Sequence, residues 1–186
     1  DHPTTHLALG LLYADIGDGV RSEASTRDAL ALDSAFVPGY LNLADLLRAQ
    51  GRDLEVESVL TDGLKQAPDD ASLLHALGLL RVREGRAAEA IPMLERAAAG
   101  APEVARFSYV LGVALNSSGD DRAIGVLEAA LGLHPNDRDI LQALAVFHRD
   151  RGSIAEALTY AMRLAELSPA DPGVQGLVAQ LQAMVG

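Results

Sequence analysis

Cysteine and tryptophan are absent from the 186 residues, lysine occurs once, at Lys65, and aromatic residues make up only 4%. Without cysteine there is no disulfide, thiolate nucleophile, iron–sulfur cluster or covalently attached haem, and the redox compartment is left open. No apolar run approaches the roughly eighteen residues that a membrane-crossing helix requires, so no membrane insertion is expected. Positive charge is scarce: 15 Lys and Arg stand against 26 Asp and Glu, for a net charge of −11. Nucleic-acid binding rests on neutralising phosphates, and an anionic membrane surface repels the same excess of carboxylates. Neither is expected as a partner. The chain begins at Asp1 with no Met and no signal-type leader, so it reads as a piece of something longer. Cytoplasmic and periplasmic locations both fit.

What is present is apolar and regular. Hydrophobic residues are 49% of the chain, enough for one domain core or a run of repeats. Fourteen Arg against one Lys, with abundant Ala, is the composition of a GC-rich bacterial gene. Prolines recur at Pro68, Pro102, Pro135 and Pro169, at intervals of 34, 33 and 34 residues. Glycines recur in step at Gly17, Gly51, Gly85, Gly119 and Gly152. Between these markers the apolar spacing is helical. Leu73, Leu74, Leu77, Leu79 and Leu80 form one stripe, and Ala87, Ala90, Ile91, Leu94, Ala97 and Ala98 form a second after Gly85. The unit is therefore helix, tight turn, helix, then a Pro-marked turn. Neither helix can bury its stripe alone, so neighbouring units must stack.

This spacing resembles the tetratricopeptide repeat, in which a large residue, Leu-Gly, an aromatic, Ala, a large apolar residue and Pro fall at fixed offsets. The third unit has Leu74, Leu77, Gly78, Arg81, Ala90, Leu94 and Pro102 at those places. The second has Tyr40, Leu43, Ala44, Leu47, Val56, Leu60 and Pro68. The fourth has Ser108, Leu111, Gly112, Leu115, Ala123, Leu127 and Pro135, one residue short in its internal turn. The fifth has Leu141, Leu144, Ala145, His148, Ala157, Ala161 and Pro169. The first has His6, Leu9, Gly10 and Tyr13, then a weaker second helix in which Ser22 and Thr26 replace apolar packers and Ser34 replaces Pro, and whose Ser22, Ser25 and Thr26 are expected to cap poorly. The resemblance implies an all-α, right-handed superhelix of five helix-turn-helix repeats over 3–36, 37–70, 71–104, 105–137 and 138–171. A capping helix over 172–186 follows, with Val174, Leu177, Val178, Leu181 and Met184 at helical spacing and Gln175, Gln180 and Gln182 partly polar. The whole is expected to be one domain.

Catalytic signatures are lacking. There is no Gly-x-Ser-x-Gly, phosphate loop or His-Glu-x-x-His, and Gly17-Asp18-Gly19 reads as a turn. His2 and His6 are four apart, but Pro3 between them starts the helix and leaves His2 outside it, so no metal site is expected. Asp69-Asp70 and Asp120-Asp121 precede helix starts, where carboxylates accept from free N–H groups. Ser153 with Glu156 reads as a capping box, and His148 as a packed ring. The reading is no enzyme and no cofactor. His134-Pro135-Asn136-Asp137-Arg138-Asp139, with Phe147-His148-Arg149-Asp150, looks like repeat regions that follow multihaem cytochrome segments in some bacterial proteins.

The resemblance further implies that the first helix of each repeat lines a concave groove that binds an extended peptide or a partner's helix. Carried across, the groove positions are Leu41, Asn42, Asp45 and Arg48, then His75, Leu79, Val82 and Arg83, then Arg106, Tyr109, Val113 and Asn116, and finally Gln142, Val146 and Arg149. Amides can donate to and accept from a peptide backbone, Tyr109 offers a rigid anchor, and Arg83, Arg106 and Arg149 can pair carboxylates. A protein or peptide partner with an acidic segment fits these groups. The alternative is a structural spacer or dimerisation element of a larger bacterial protein, and a homodimer is compatible with either reading.

Overall fold

The computed structural model describes residues 2–185, which form eleven α-helices with no strand among the described residues. In chain order they are α1 (Pro3–Asp15), α2 (Gly19–Leu32), α3 (Val37–Ala49), α4 (Asp53–Gln66), α5 (Ala71–Arg83), α6 (Ala87–Gly100), α7 (Ala105–Ser117), α8 (Arg122–Leu133), α9 (Arg138–Asp150), α10 (Ile154–Leu167) and α11 (Pro172–Val185). Five successive pairs and one single helix result, the all-α repeat fold expected from the period. The chain divides into two compact units, Asp1–Gly100 and Ala101–Gly186. The first holds α1–α6 and the second α7–α11.

The recurring glycines end the first helix of each pair. All five have positive φ, between 71° and 80°, a left-handed conformation that a Cβ disfavours. At Gly85 the N–H donates to the Val82 carbonyl, and the next N–H, of Arg86, reaches back to the Arg81 carbonyl. That pair of bonds is the Schellman closure, which satisfies carbonyls a helix end leaves open. Aspartates start several helices. Asp18, Asp70 and Asp137 each accept from the backbone N–H three residues on, at 3.0, 2.9 and 2.9 Å. Ser153 precedes α10 but makes no side-chain cap bond, so the capping box expected there with Glu156 does not form.

In the first unit each helix packs on the next, and α1 also meets α3, as α3 meets α5. One apolar cluster joins Tyr40, Leu43 and Leu47 of α3 to Val56, Val59 and Leu60 of α4 and Leu73, Leu77 and Leu80 of α5. The small residues stand at the closest crossings. A Cβ on Gly78 would lie 2.8 Å from Leu94, and one on Gly10 would lie 2.7 Å from Thr26 Oγ1. The polar residues of α2 are not weak caps, as the sequence suggested: Ser22, Ser25 and Thr26 are buried against their neighbours. The single Thr26 hydroxyl proton is shared between the Ser22 carbonyl at 2.9 Å and Asn42 Oδ1 at 3.1 Å. A hydroxyl thereby fills a packing place that the next three repeats fill with Leu60, Leu94 and Leu127.

In the second unit α7 packs on α8, α8 on α9, α9 on α10 and α10 on α11, and α7 also meets α9. Ala145, Ala157, Ala161 and Leu181 form a tight cluster in which Leu177 and Val178 of α11 join. The deletion in the fourth repeat falls elsewhere than expected. The α7–α8 connection has four residues, 118–121, and it is α8 that is short, with 12 residues. Side chains also tie second helices to the preceding Pro turns. Arg96 donates to the Pro68 carbonyl at 2.8 Å in the first unit, and Arg163 donates to the Pro135 carbonyl at 2.9 Å in the second.

Candidate functional site

In the first unit the exposed surface of α1, α3 and α5 repeats every 34 residues. Leu7, Leu41 and His75 share one register position, Leu11, Asp45 and Leu79 the next, and Ala14, Arg48 and Val82 the third. Leu7, Leu41, Leu79, Val82 and His75 are half-buried and Leu11 is exposed, so this surface is largely apolar. Asp45 and Arg48 are exposed and pair with each other at 3.1 Å. Asn42 is turned toward α2, where its Oδ1 receives the Thr26 hydroxyl, so one half of its amide is already used. Arg83 is exposed at the end of α5.

In the second unit the corresponding surface is more polar. Arg106 is exposed and Tyr109, Val113 and Asn116 are half-buried along α7. On α9, Gln142 is exposed, Val146 is half-buried, and Arg149 is held by its neighbour Asp150 at 2.7 Å. A cleft of about 410 Å³ opens beside Gln142, with Leu164 and Val174 among its apolar lining and Asn136 at its side. Arg138 and Asp171, 3.7 Å apart, also line it. This cleft escaped the sequence reading. The signal that could have shown it is the pair Asp137 and Asp171, one period apart at two helix starts.

Most of the basic side chains are consumed by the fold. Arg52 binds Glu23 and Glu55, each at 2.6 Å, and one period later Arg86 binds Glu89 at 2.6 Å and approaches Glu57 at 3.6 Å. Arg81 is buried and donates to Glu57 at 2.5 Å and to Glu84 at 3.2 Å. These guanidiniums hold Glu23, Glu55, Glu57 and Glu89 below the usual glutamate range, the hydrogen bond from the partner arginine being the main cause. Among the described residues, Arg83 and Arg106 are the two basic side chains with neither an ion pair nor a hydrogen bond to the protein.

The groups considered for acid–base or metal chemistry have other places. His2 precedes α1, while His6 on α1 lies 3.9 Å from Asp28. Asp70 caps α5, Asp69 pairs with Arg96, and Asp120 receives the Arg122 guanidinium. His148 is buried and stacked on Tyr160, whose hydroxyl donates to Glu128 at 3.0 Å. His134 Nε2 lies 2.8 Å from the Pro102 carbonyl. Among the described residues no three His, Cys, Asp or Glu side chains gather as a metal site would need.

The paired helices, the glycine turns and the small residues at each crossing define a helical-repeat protein. Sequence profiles described as tetratricopeptide repeat match residues 75–120 and 121–181, and the chain belongs to that family. It is similar to the cellulose synthase 2 operon protein C of Komagataeibacter xylinus, with 33% identity over 174 residues. That alignment covers 88% of this chain and 13% of the relative. The cellulose synthase operon protein C of Xanthomonas axonopodis pv. citri is 32% identical over 162 residues, covering 82% of this chain and 11% of the relative. The chain thus spans about an eighth of the length of these relatives. Among solved structures, Pseudomonas aeruginosa PilF aligns with a TM-score of 0.83 at 19% identity, over 98% of this chain and 84% of that one. MamA aligns with a TM-score of 0.73 at 22% identity, over 88% and 90%. YrrB, described as a tetratricopeptide repeat protein with an unusual peptide-binding site, aligns with a TM-score of 0.72 at 18% identity, over 96% and 90%. At these identities the likeness is one of fold.

Proposed function

We propose that the chain is a non-catalytic interaction segment of a longer bacterial protein, and that the first-helix surfaces of its repeats bind a protein or peptide carrying an acidic stretch. The observation that carries this reading is the pair of free guanidiniums. In a molecule of net charge −11, thirteen of fifteen basic side chains are engaged internally, and the two left over both stand on first helices. An unengaged Arg beside an apolar surface suits a carboxylate flanked by apolar residues, because the guanidinium can bind it bidentately while leucines bury its neighbours. Tyr109, Asn116 and Gln142 add a rigid ring and two amides that make no side-chain bond among the described residues. Likeness to the operon C proteins supports a role beside a cellulose synthase operon's products.

The test compares the wild type with an Arg83→Glu/Arg106→Glu variant as bait in lysate of the source organism. A protein held by the wild type and lost by the variant, at unchanged helicity and melting temperature, is the expected result. Its binding should weaken as salt rises, since exposed charge pairs are screened. Equal retention by both baits would remove the two arginines from the binding surface.

A further inference from the structure

Helix α1 leaves uncovered a face that the later first helices bury wholly or in part. Leu9 is 40% exposed, whereas Leu43 and Leu77 at the same register position are 1% and 3% exposed. Leu12 is 57% exposed, whereas its counterparts Leu46 and Leu80 are half-buried and 1% exposed. In the second unit the same places hold Leu111 and Leu144, and Ala114 and Phe147, all buried. Ile16, one turn further on, is 68% exposed. The cover is identifiable where it exists: Val56, Val59 and Leu60 of α4 share one apolar cluster with Leu73, Leu77 and Leu80 of α5. Gly63 brings the two helices close, since a Cβ there would lie 3.1 Å from Leu73. Thus, in the first unit, the second helix α4 covers the first helix α5 that follows it.

We propose that this face of α1 is a stacking surface, covered by the second helix of a further repeat in the same polypeptide. The chemistry of the occupant follows from α4: a helix with small and aliphatic residues at three- and four-residue spacing, laid on α1 as α4 lies on α5. The α1 side is prepared for it. Residues 3–14 contain no Asp, Glu, Lys or Arg, so covering the Leu9 and Leu12 face strips no charged side chain of α1 of its water. The source follows from the relatives, of which this chain matches only 13% and 11%, leaving ample sequence for more repeats.

The absence of cysteine makes the test direct, because Leu12→Cys introduces a single thiol. Its rate of reaction with a thiol reagent is measured in the 186-residue chain and in the polypeptide encoded by the complete native gene. Val20→Cys is the control: Val20 is 82% exposed, and Leu54 at its register position is 86% exposed despite having a repeat before it. The expected result is a Leu12→Cys rate about tenfold or more slower in the native polypeptide, access to the thiolate being what sets the rate, with the control unchanged. Equal rates in the two proteins would overturn the proposal. So would protection already present in the 186-residue chain that grows with protein concentration, which would assign the face to a second copy.

Discussion

Two glycines in neighbouring helices illustrate how little a residue's identity says without its surroundings. A Cβ on Gly112 of α7 would sit 2.5 Å from Leu127, a fully buried side chain with no open space to move into. A Cβ on Gly125 of α8 would meet nothing within 4 Å. Gly112→Ala should therefore destabilise the second unit by about 1–3 kcal/mol, the usual range for overpacking. Gly125→Ala should stabilise it by roughly 0.5–1 kcal/mol, because Gly in an exposed helix loses more backbone freedom on folding than Ala. Urea denaturation of the two variants checks the opposite signs. Similar shifts in one direction would contradict the close crossing at Gly112.

At the scale of helices, the turns and crossings were legible because each rests on a local requirement. A positive φ asks for Gly whatever the partner, so Gly17 to Gly152 mark the period in the bare sequence. The pairings that depend on a distant side chain were not legible. Arg81 occupies the place that Leu47 and Leu115 hold in the neighbouring repeats, and nothing local announces that Glu57, 24 residues earlier, lies beside it. The same holds for Thr26 with Asn42, and for the engagement of Arg149 by Asp150, which takes that arginine out of the free set. Since Arg81 stands where Leu packs elsewhere, the two halves of its ion pair should respond differently. Glu57→Gln leaves a buried guanidinium short of a charge partner and should cost about 1–3 kcal/mol. Arg81→Leu should cost much less, because a well-packed apolar side chain replaces a buried charge together with its desolvation penalty. Thermal melts of both variants decide this, and an Arg81→Leu loss equal to that of Glu57→Gln would mean the ion network itself holds α4 to α5.

Across the whole molecule the titrating groups are unevenly shared. The glutamates held below their ordinary value near 4.5 are Glu23, Glu55, Glu57 and Glu89, all in the first unit. In the second unit the lowered carboxyl is that of Asp120, held down by Arg122. For each group the folded chain binds a proton less readily than the unfolded chain. The stabilisation is therefore complete above the unfolded value and is lost as pH falls below it, until the folded group protonates as well. Acidification from pH 6 toward pH 3 should loosen the first unit before the second. Hydrogen exchange followed by mass spectrometry over that range can resolve it, with amides of α2–α6 losing protection at a higher pH than those of α8–α10. The order has a functional consequence, because Arg83 belongs to the earlier-melting unit and Arg106 to the later. Binding of an acidic peptide that depends on Arg83 should therefore be lost at a higher pH than binding that depends on Arg106. Simultaneous loss of protection in both units would show that the glutamate clamps of the first unit do not set its acid stability.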